Sequence, residues 1–145
     1  MNIIITEDDP DDQLLLQEAF RQSDEGNSIT IANDGVELMD FLEEQREARG
    51  STRPDLVLLD LNMPRMDGRE ALAAIKGDPD LRSIPVVVLT TSSDEGDILK
   101  SYALGANSYI CKPVTFTELV DIVEHLQRYW FGFVQLPPRD ALPAA

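Results

Sequence analysis

Five short apolar segments, separated by stretches with helical spacing, are the feature that most limits the folds open to this chain. They span Asn2 to Thr6, Ile29 to Ala32, Leu56 to Asp60, Ile84 to Thr90 and Ser108 to Cys111. Some are apolar at consecutive positions rather than alternating, as in the run Val86-Val87-Val88-Leu89. Strands of this kind are buried on both faces, which is typical of parallel sheets covered by helices on each side. We therefore predict five parallel strands.

The stretches between these segments carry apolar residues at helical spacing, for example Leu38 and Leu42 before the third segment. Helix-boundary signals accompany them. Thr115, with Glu118 three residues later, is a capping box that begins the fifth helix, and Gly105 is placed to end the fourth. Strand and helix thus alternate five times, which predicts a (βα)5 fold: a doubly wound, five-stranded parallel sheet in a single domain.

The charge balance excludes several classes of partner. Lys and Arg number 12 against 27 for Asp and Glu, a net charge of -15, and such a surface repels nucleic acid and anionic membranes. No apolar run reaches the roughly 18 residues of a membrane span, and the start lacks the pattern of a signal peptide. We expect a cytoplasmic protein. Its single cysteine, Cys111, cannot form an internal disulfide and is predicted to be a buried strand residue.

Acidic residues follow two of the predicted strands. Asp60 ends the third apolar segment, and Glu7 and Asp8 follow the first. Because the carboxyl ends of parallel strands meet at one edge of the sheet, these carboxylates are expected to converge there. Their mutual repulsion is relieved by a hard cation, and Mg²⁺ leaves room for water and phosphate oxygens. The neighbouring acids Asp11 and Asp12 are interpreted as ordinary helix-start residues.

Two further polar side chains occupy strand ends. Lys112 follows the fifth segment, where Pro113 stops the strand, and Thr90 ends the fourth. An ammonium can pair with Asp60 or with phosphate oxygens, and a hydroxyl can donate to an oxygen on a modified Asp60. Either residue alone would be an ordinary surface lysine or loop hydroxyl. Their positions at strand ends favour a functional role.

Residues 2 to 128 resemble the receiver domain of two-component response regulators. The resemblance rests on one ordered set of motifs at strand ends: Glu7-Asp8, Asp60, Asn62-Met63-Pro64, Met66-Asp67-Gly68, Thr90 and Lys112-Pro113. It implies that Asp60 is a phosphoacceptor, with the phosphoryl group coming from a phosphohistidine on a sensor histidine kinase. It also implies that the protein catalyses only its own phosphorylation and dephosphorylation and is not a turnover enzyme.

The same resemblance implies a role for each metal ligand. Asp8 and Asp60 would ligate Mg²⁺ directly, Asn62 would do so through its backbone carbonyl, and Glu7 would act through a water molecule. It also implies that Lys112 contacts the acyl phosphate.

A switch pair is implied as well. Thr90 would move its hydroxyl towards the phosphate, and Tyr109 would turn its ring inward in response. This change would alter the face formed by the fourth helix, the fifth strand and the fifth helix.

Local stretches narrow the resemblance. Glu7-Asp8-Asp9-Pro10, Ser101 to Asn107 and Tyr129-Trp130-Phe131 look like those of small single-domain regulators that serve phytochrome-type sensor kinases. A phytochrome-type kinase is therefore the expected partner.

An aromatic extension, residues 129–145, follows the predicted receiver domain, residues 1–128, and its end is expected to be flexible. The aromatic residues are Tyr129, Trp130, Phe131 and Phe133. They either fold back on the core or form an interface, since exposed aromatic patches usually mark contact surfaces. We hypothesise a homodimer through the fifth-helix side and this extension. Because no output domain follows the fifth helix in the sequence, signalling is expected to use protein contacts.

Two other functional classes stay open at this point. A haloacid dehalogenase-type phosphatase also uses an aspartate after a strand, Mg²⁺ and a lysine. Such an enzyme places a second aspartate two residues after the nucleophile, where this chain has Asn62. A receiver that only binds partners, without phosphorylation, would not need Asp60, Thr90 and Lys112 together.

Overall fold

The computed structural model describes residues 1–23, 26–48 and 53–138. Strands and helices alternate five times, as predicted. The elements are β1 (Asn2–Thr6), α1 (Pro10–Ser23), β2 (Ser28–Ala32), α2 (Gly35–Ala48), β3 (Leu56–Leu59), α3 (Gly68–Gly77), β4 (Val86–Thr90), α4 (Glu95–Ala103), β5 (Ser108–Cys111) and α5 (Phe116–Gln127), followed by a π-helical segment (Arg128–Phe133).

The five strands form one parallel sheet in the order β2-β1-β3-β4-β5. This confirms the predicted (βα)5 fold. The order makes β1 and β3 neighbours, with Thr6 in register with Leu59. The residues that follow the two strands therefore emerge side by side. The amide of Asp60 donates to the carbonyl of Thr6 over 3.1 Å, which fixes this arrangement at the carboxyl edge.

The central strands are buried on both faces because an apolar cluster lies on each side of the sheet. Ile4 belongs to the cluster on the α2 and α3 side, whereas Ile3 and Ile5 belong to the cluster on the α1 and α5 side. The edge strand β5 is only partly buried. Its last residue, Cys111, is exposed, so the prediction of a buried cysteine was wrong. A strand at the edge of a sheet has a neighbour on one side only.

The helix boundaries follow the predicted capping chemistry. Thr115 accepts a hydrogen bond from the amide of Glu118 over 3.2 Å and donates to its carboxylate over 3.0 Å. Gly105, after α4, has φ +108°, which glycine adopts without the strain that a Cβ would cause. Within the described residues, none of the helices is both long and apolar enough to cross a membrane.

The aromatic extension is divided between the core and the surface. The π-helical segment continues α5 and is closed by a bond from the amide of Val134 to the carbonyl of Tyr129. Trp130 is buried in the cluster on the α1 and α5 side, and Phe131 packs partly against it. Trp130 thus packs within the chain. Tyr129 and Phe133 remain exposed. The predicted flexible end lies, from residue 139 onward, outside the described residues.

Candidate functional site at the carboxyl edge of the sheet

Three carboxylates converge where β1 and β3 end. Oxygens of Glu7, Asp8 and Asp60 all lie within 4.8 Å of one another. Glu7 and Asp60 are buried, whereas Asp8 is exposed. The set consists of hard oxygen donors and has one side open to solvent, which suits a small divalent cation that retains several water ligands.

The contacts of Glu7 offset only part of the effect of burying its carboxylate. Burial raises the pKa of Glu7 to about 7, the charge of Asp60 acts in the same direction, and the hydrogen bond from Lys112 opposes the rise. The amide of Asp9 also donates to Glu7, over 3.1 Å. A divalent cation beside these residues would favour the ionised carboxylates.

Lys112 lies at the centre of the carboxylates. Its ammonium donates to Glu7 and, over 3.1 Å, to Asp12 Oδ2, and it lies 3.5 Å from Asp60 Oδ2. Burial alone would lower the pKa of Lys112, but these carboxylates outweigh it and raise the pKa above its ordinary value. Asp12 is a contact that the sequence did not reveal. Acids are common in the first turn of a helix, and nothing local distinguishes Asp12 from Asp11.

The loop after β3 is held close to Asp60 by backbone contacts. Asn62 is exposed on this loop, and its amide lies 3.5 Å from Asp60 Oδ1. The amide of Gly68 donates to the carbonyl of Leu61 over 2.9 Å. A Cβ at Gly68 would come within 2.1 Å of the carbonyl oxygen of Asp60. Only glycine permits this close approach, so the Met66-Asp67-Gly68 motif has a steric reason.

Thr90 and Tyr109 lie on the same face of the sheet but make separate contacts. Val88 is in register with Tyr109, and Thr90 follows Val88 by two residues, which places all three on one face. The Thr90 side chain is fully buried, and its hydroxyl has no hydrogen-bond partner among the described residues. The Tyr109 hydroxyl instead donates to the carbonyl of Ser92 over 2.9 Å.

The chain matches a known family along most of its length. Residues 3–124 match the response regulator receiver domain. The chain belongs to this family. It is 44% identical to the response regulator Rcp1 of Synechocystis over 135 residues, which cover 93% of this chain and 92% of the relative. A probable methanogenesis regulatory protein of Methanothrix harundinacea, FilR2, is 38% identical and covers 93% of the chain and 86% of the relative.

Solved structures agree with this assignment. The phosphorylated cyanobacterial phytochrome response regulator RcpA superposes with a TM-score of 0.86 at 44% identity, covering 94% of this chain and 97% of the other. The Mn²⁺-bound form of Rcp1 gives 0.83 at 43% identity, with 94% and 98% coverage. Receiver domains bind a divalent metal, and the cluster of Glu7, Asp8 and Asp60 provides the ligand chemistry for one. The phosphatase and binding-module alternatives are not favoured.

Proposed function

We propose that this receiver domain accepts a phosphoryl group on Asp60 from a sensor histidine kinase in a Mg²⁺-dependent reaction. The observation that supports this most is the meeting of Glu7, Asp8 and Asp60 within 4.8 Å, with the Lys112 ammonium 3.5 Å from Asp60. Metal ligands, a carboxylate nucleophile and a fixed cation are the groups that phosphoryl transfer to a carboxylate requires.

In this proposal Mg²⁺ would be held by Asp8, Asp60 and the backbone carbonyl of Asn62, and by Glu7 through a water molecule. The ion would supply charge neutralisation for the phosphoryl oxygens. Burial already raises the pKa of Glu7 to about 7. A positive charge beside the cluster would therefore help to keep its carboxylates ionised.

Side chains of the protein carry out the other parts of the reaction. A carboxylate oxygen of Asp60 attacks phosphorus in line, the new O–P bond forms, and the N–P bond to the kinase histidine breaks with the electron pair returning to that nitrogen. Lys112 offsets the negative charge on the phosphoryl oxygens as a point charge. The later hydrolysis returns Asp60 to a free carboxylate. The protein thus acts on itself and does not turn over a separate substrate.

Thr90 and Tyr109 are proposed to report the modification. The phosphoryl group adds negative charge and new acceptor oxygens, and the partnerless hydroxyl of Thr90 can donate to one of them. Tyr109 would leave the Ser92 carbonyl and turn inward. We describe this as a shift between two populated states that the phosphate biases.

For partners we propose a phytochrome-type sensor kinase and a second copy of this chain. The kinase assignment follows the likeness to RcpA, described as a phytochrome response regulator. The dimer would use the α5 side with the exposed rings of Tyr129 and Phe133. The net charge of -15 opposes binding to nucleic acid. The single cysteine fits a cytoplasmic location.

Phosphotransfer tests the central proposal. The wild type, incubated with a phosphorylated phytochrome-type kinase and Mg²⁺, is expected to acquire one acyl phosphate, labile to alkali and to hydroxylamine, and chelation of the metal should prevent it. Asp60→Asn should fold normally and acquire none. Asp40→Asn, an exposed acid on α2, is the matched control and should behave as wild type. A stoichiometric alkali-labile phosphate on Asp60→Asn would contradict the proposal.

Two further measurements test the remaining parts. Incubation with a generic phosphatase substrate is expected to show no multiple turnover. Sedimentation with and without a phosphoryl analogue is expected to show a dimer. A monomer under both conditions at micromolar and higher concentrations would contradict the dimer proposal alone.

A further inference from the structure

We propose that Asp12 is a positioning residue for phosphoryl transfer: it fixes the Lys112 ammonium so that one of its N–H donors faces Asp60. This inference rests on the proposed function of Asp60 and assigns a role to a residue outside the metal cluster. Asp12 lies in the first turn of α1, and its Oδ2 accepts from Lys112 Nζ over 3.1 Å.

The geometry around the ammonium supports this role. A lysine ammonium has three donors. One is used by Glu7 and a second by Asp12, whereas Asp60 Oδ2 lies at 3.5 Å, within ion-pair range but longer than a good hydrogen bond. With Glu7 and Asp12 each accepting from one donor, the third donor is left for Asp60 Oδ2.

Metal binding increases the importance of Asp12. The carboxylates of Glu7, Asp8 and Asp60 form the cluster that a cation would engage. Asp12 is not part of that cluster, so its charge stays available to Lys112 when the metal is bound. Lysine has a long, flexible side chain, and an ammonium without this second anchor would sample positions away from Asp60.

Asp11 provides a matched control because it is the neighbouring acid in the same turn of α1. Among the described residues, the carboxylates that pair with Lys112 are those of Glu7, Asp12 and Asp60, and Asp11 is not one of them. Removing Asp11 or Asp12 changes the net charge and the charge at the helix start equally. Only the Asp12 substitution removes the contact with Lys112.

The test measures phosphorylation by acetyl phosphate with Mg²⁺ for the wild type, Asp11→Ala, Asp12→Ala and Asp12→Glu. We expect the maximal rate of Asp12→Ala to fall about three- to fivefold below that of Asp11→Ala, the scale of a partly exposed ion pair. Asp12→Glu should recover part of the rate, because a carboxylate is restored within reach of Lys112. Circular dichroism confirms that each variant folds.

A double-mutant cycle separates positioning from a general structural effect. In a Lys112→Ala background, Asp12→Ala should cause no additional loss relative to Asp11→Ala, since the two residues act through one contact. If the Lys112→Ala rate is too slow to measure, the same cycle is carried out with the affinity for beryllofluoride, in the presence of Mg²⁺, as the measured quantity.

The outcomes distinguish the two proposals. If the wild type acquires no phosphate from either the kinase or acetyl phosphate, the proposed function fails and this inference fails with it. If the wild type is phosphorylated but Asp12→Ala equals Asp11→Ala, the inference alone is overturned. A loss from Asp12→Ala that persists in the Lys112→Ala background also overturns it, because Asp12 would then act without Lys112.

Discussion

The helices α4 and α5 precede and follow the same edge strand, β5, yet they are attached to the sheet by different kinds of contact. α5 buries Leu119, Val123 and Leu126, and the π-helical segment adds Trp130 to the same apolar cluster. In α4, all of whose residues the structure describes, the buried residue is Ser101. Its hydroxyl has no hydrogen-bond partner among the described residues. α4 therefore has little hydrophobic anchorage.

Polar contacts hold α4 instead. Asp97 accepts from Arg69 over 2.6 Å and from the Ser92 hydroxyl over 2.7 Å, and the Tyr102 hydroxyl accepts from the amide of Tyr109 over 3.2 Å. The bonds from Ser92 and Arg69 hold the pKa of Asp97 below its ordinary value. Each contact of this kind contributes little free energy in water. Breaking one and forming another therefore costs little free energy.

The contrast between the attachments of α4 and α5 indicates which part of this receiver moves most easily. The α1 and α5 side is a fixed apolar platform, whereas α4 is fastened by polar bonds near Thr90 and Tyr109. Regions with few buried apolar contacts are the ones that open most easily. Displacing α4 should therefore cost less free energy than displacing α5.

The greatest loss of stability is expected from a substitution in the apolar cluster on the α1 and α5 side. Trp130→Ala should lower the free energy of unfolding by about 3–5 kcal/mol, because it leaves a cavity in the cluster on the α1 and α5 side. Chemical denaturation measures this change. Phe133→Ala, which removes a ring that is 72% exposed, is the control and should stay within about 0.5 kcal/mol of the wild type. Equal losses from both variants would contradict the division of the extension into core and surface.

A smaller and local effect is expected for the polar attachment of α4. Arg69→Ala removes the guanidinium from Asp97 and should accelerate amide hydrogen exchange in α4 by up to about fivefold, while exchange in α5 stays unchanged. Arg82→Ala removes an exposed charge from the connection between α3 and β4 and should alter neither helix. Equal acceleration in α4 and α5 would show that the two helices open together and would contradict the difference in their attachment.

The smallest effect is expected at the buried serine of α4. Ser101→Ala removes a partnerless buried hydroxyl, a group that costs stability when it is unsatisfied, and alanine has the higher helix propensity. The free energy of unfolding should rise by about 0.5–1 kcal/mol in the unphosphorylated protein. Ser93→Ala, outside any helix or strand, should change little. A loss of stability from Ser101→Ala would mean that its hydroxyl has a partner.

Much of the fold and part of the site could be predicted because the relevant signals are local. Apolar runs and caps such as Thr115 located the strands and helices, and strand ends located Asp60 and Lys112. The burial of side chains on the edge strand β5 could not be predicted from local sequence. The prediction that Cys111 is buried was wrong for that reason. The sequence did not decide whether the aromatic extension folds back or forms an interface, because burial of Trp130 depends on whether the chain after α5 returns to the core.

The amino-acid sequence was enough to establish the alternation of elements, the carboxylates at strand ends and the family to which the chain belongs. These properties depend on residue type and short-range spacing. The folded structure was needed to show that Asp12, and not Asp11, reaches Lys112, and that α4 is held by polar bonds. Both features depend on how the helices pack against the sheet. The strand order of this sheet brings together residues about 100 positions apart. Contacts over such separations are determined by packing, and no local pattern encodes them.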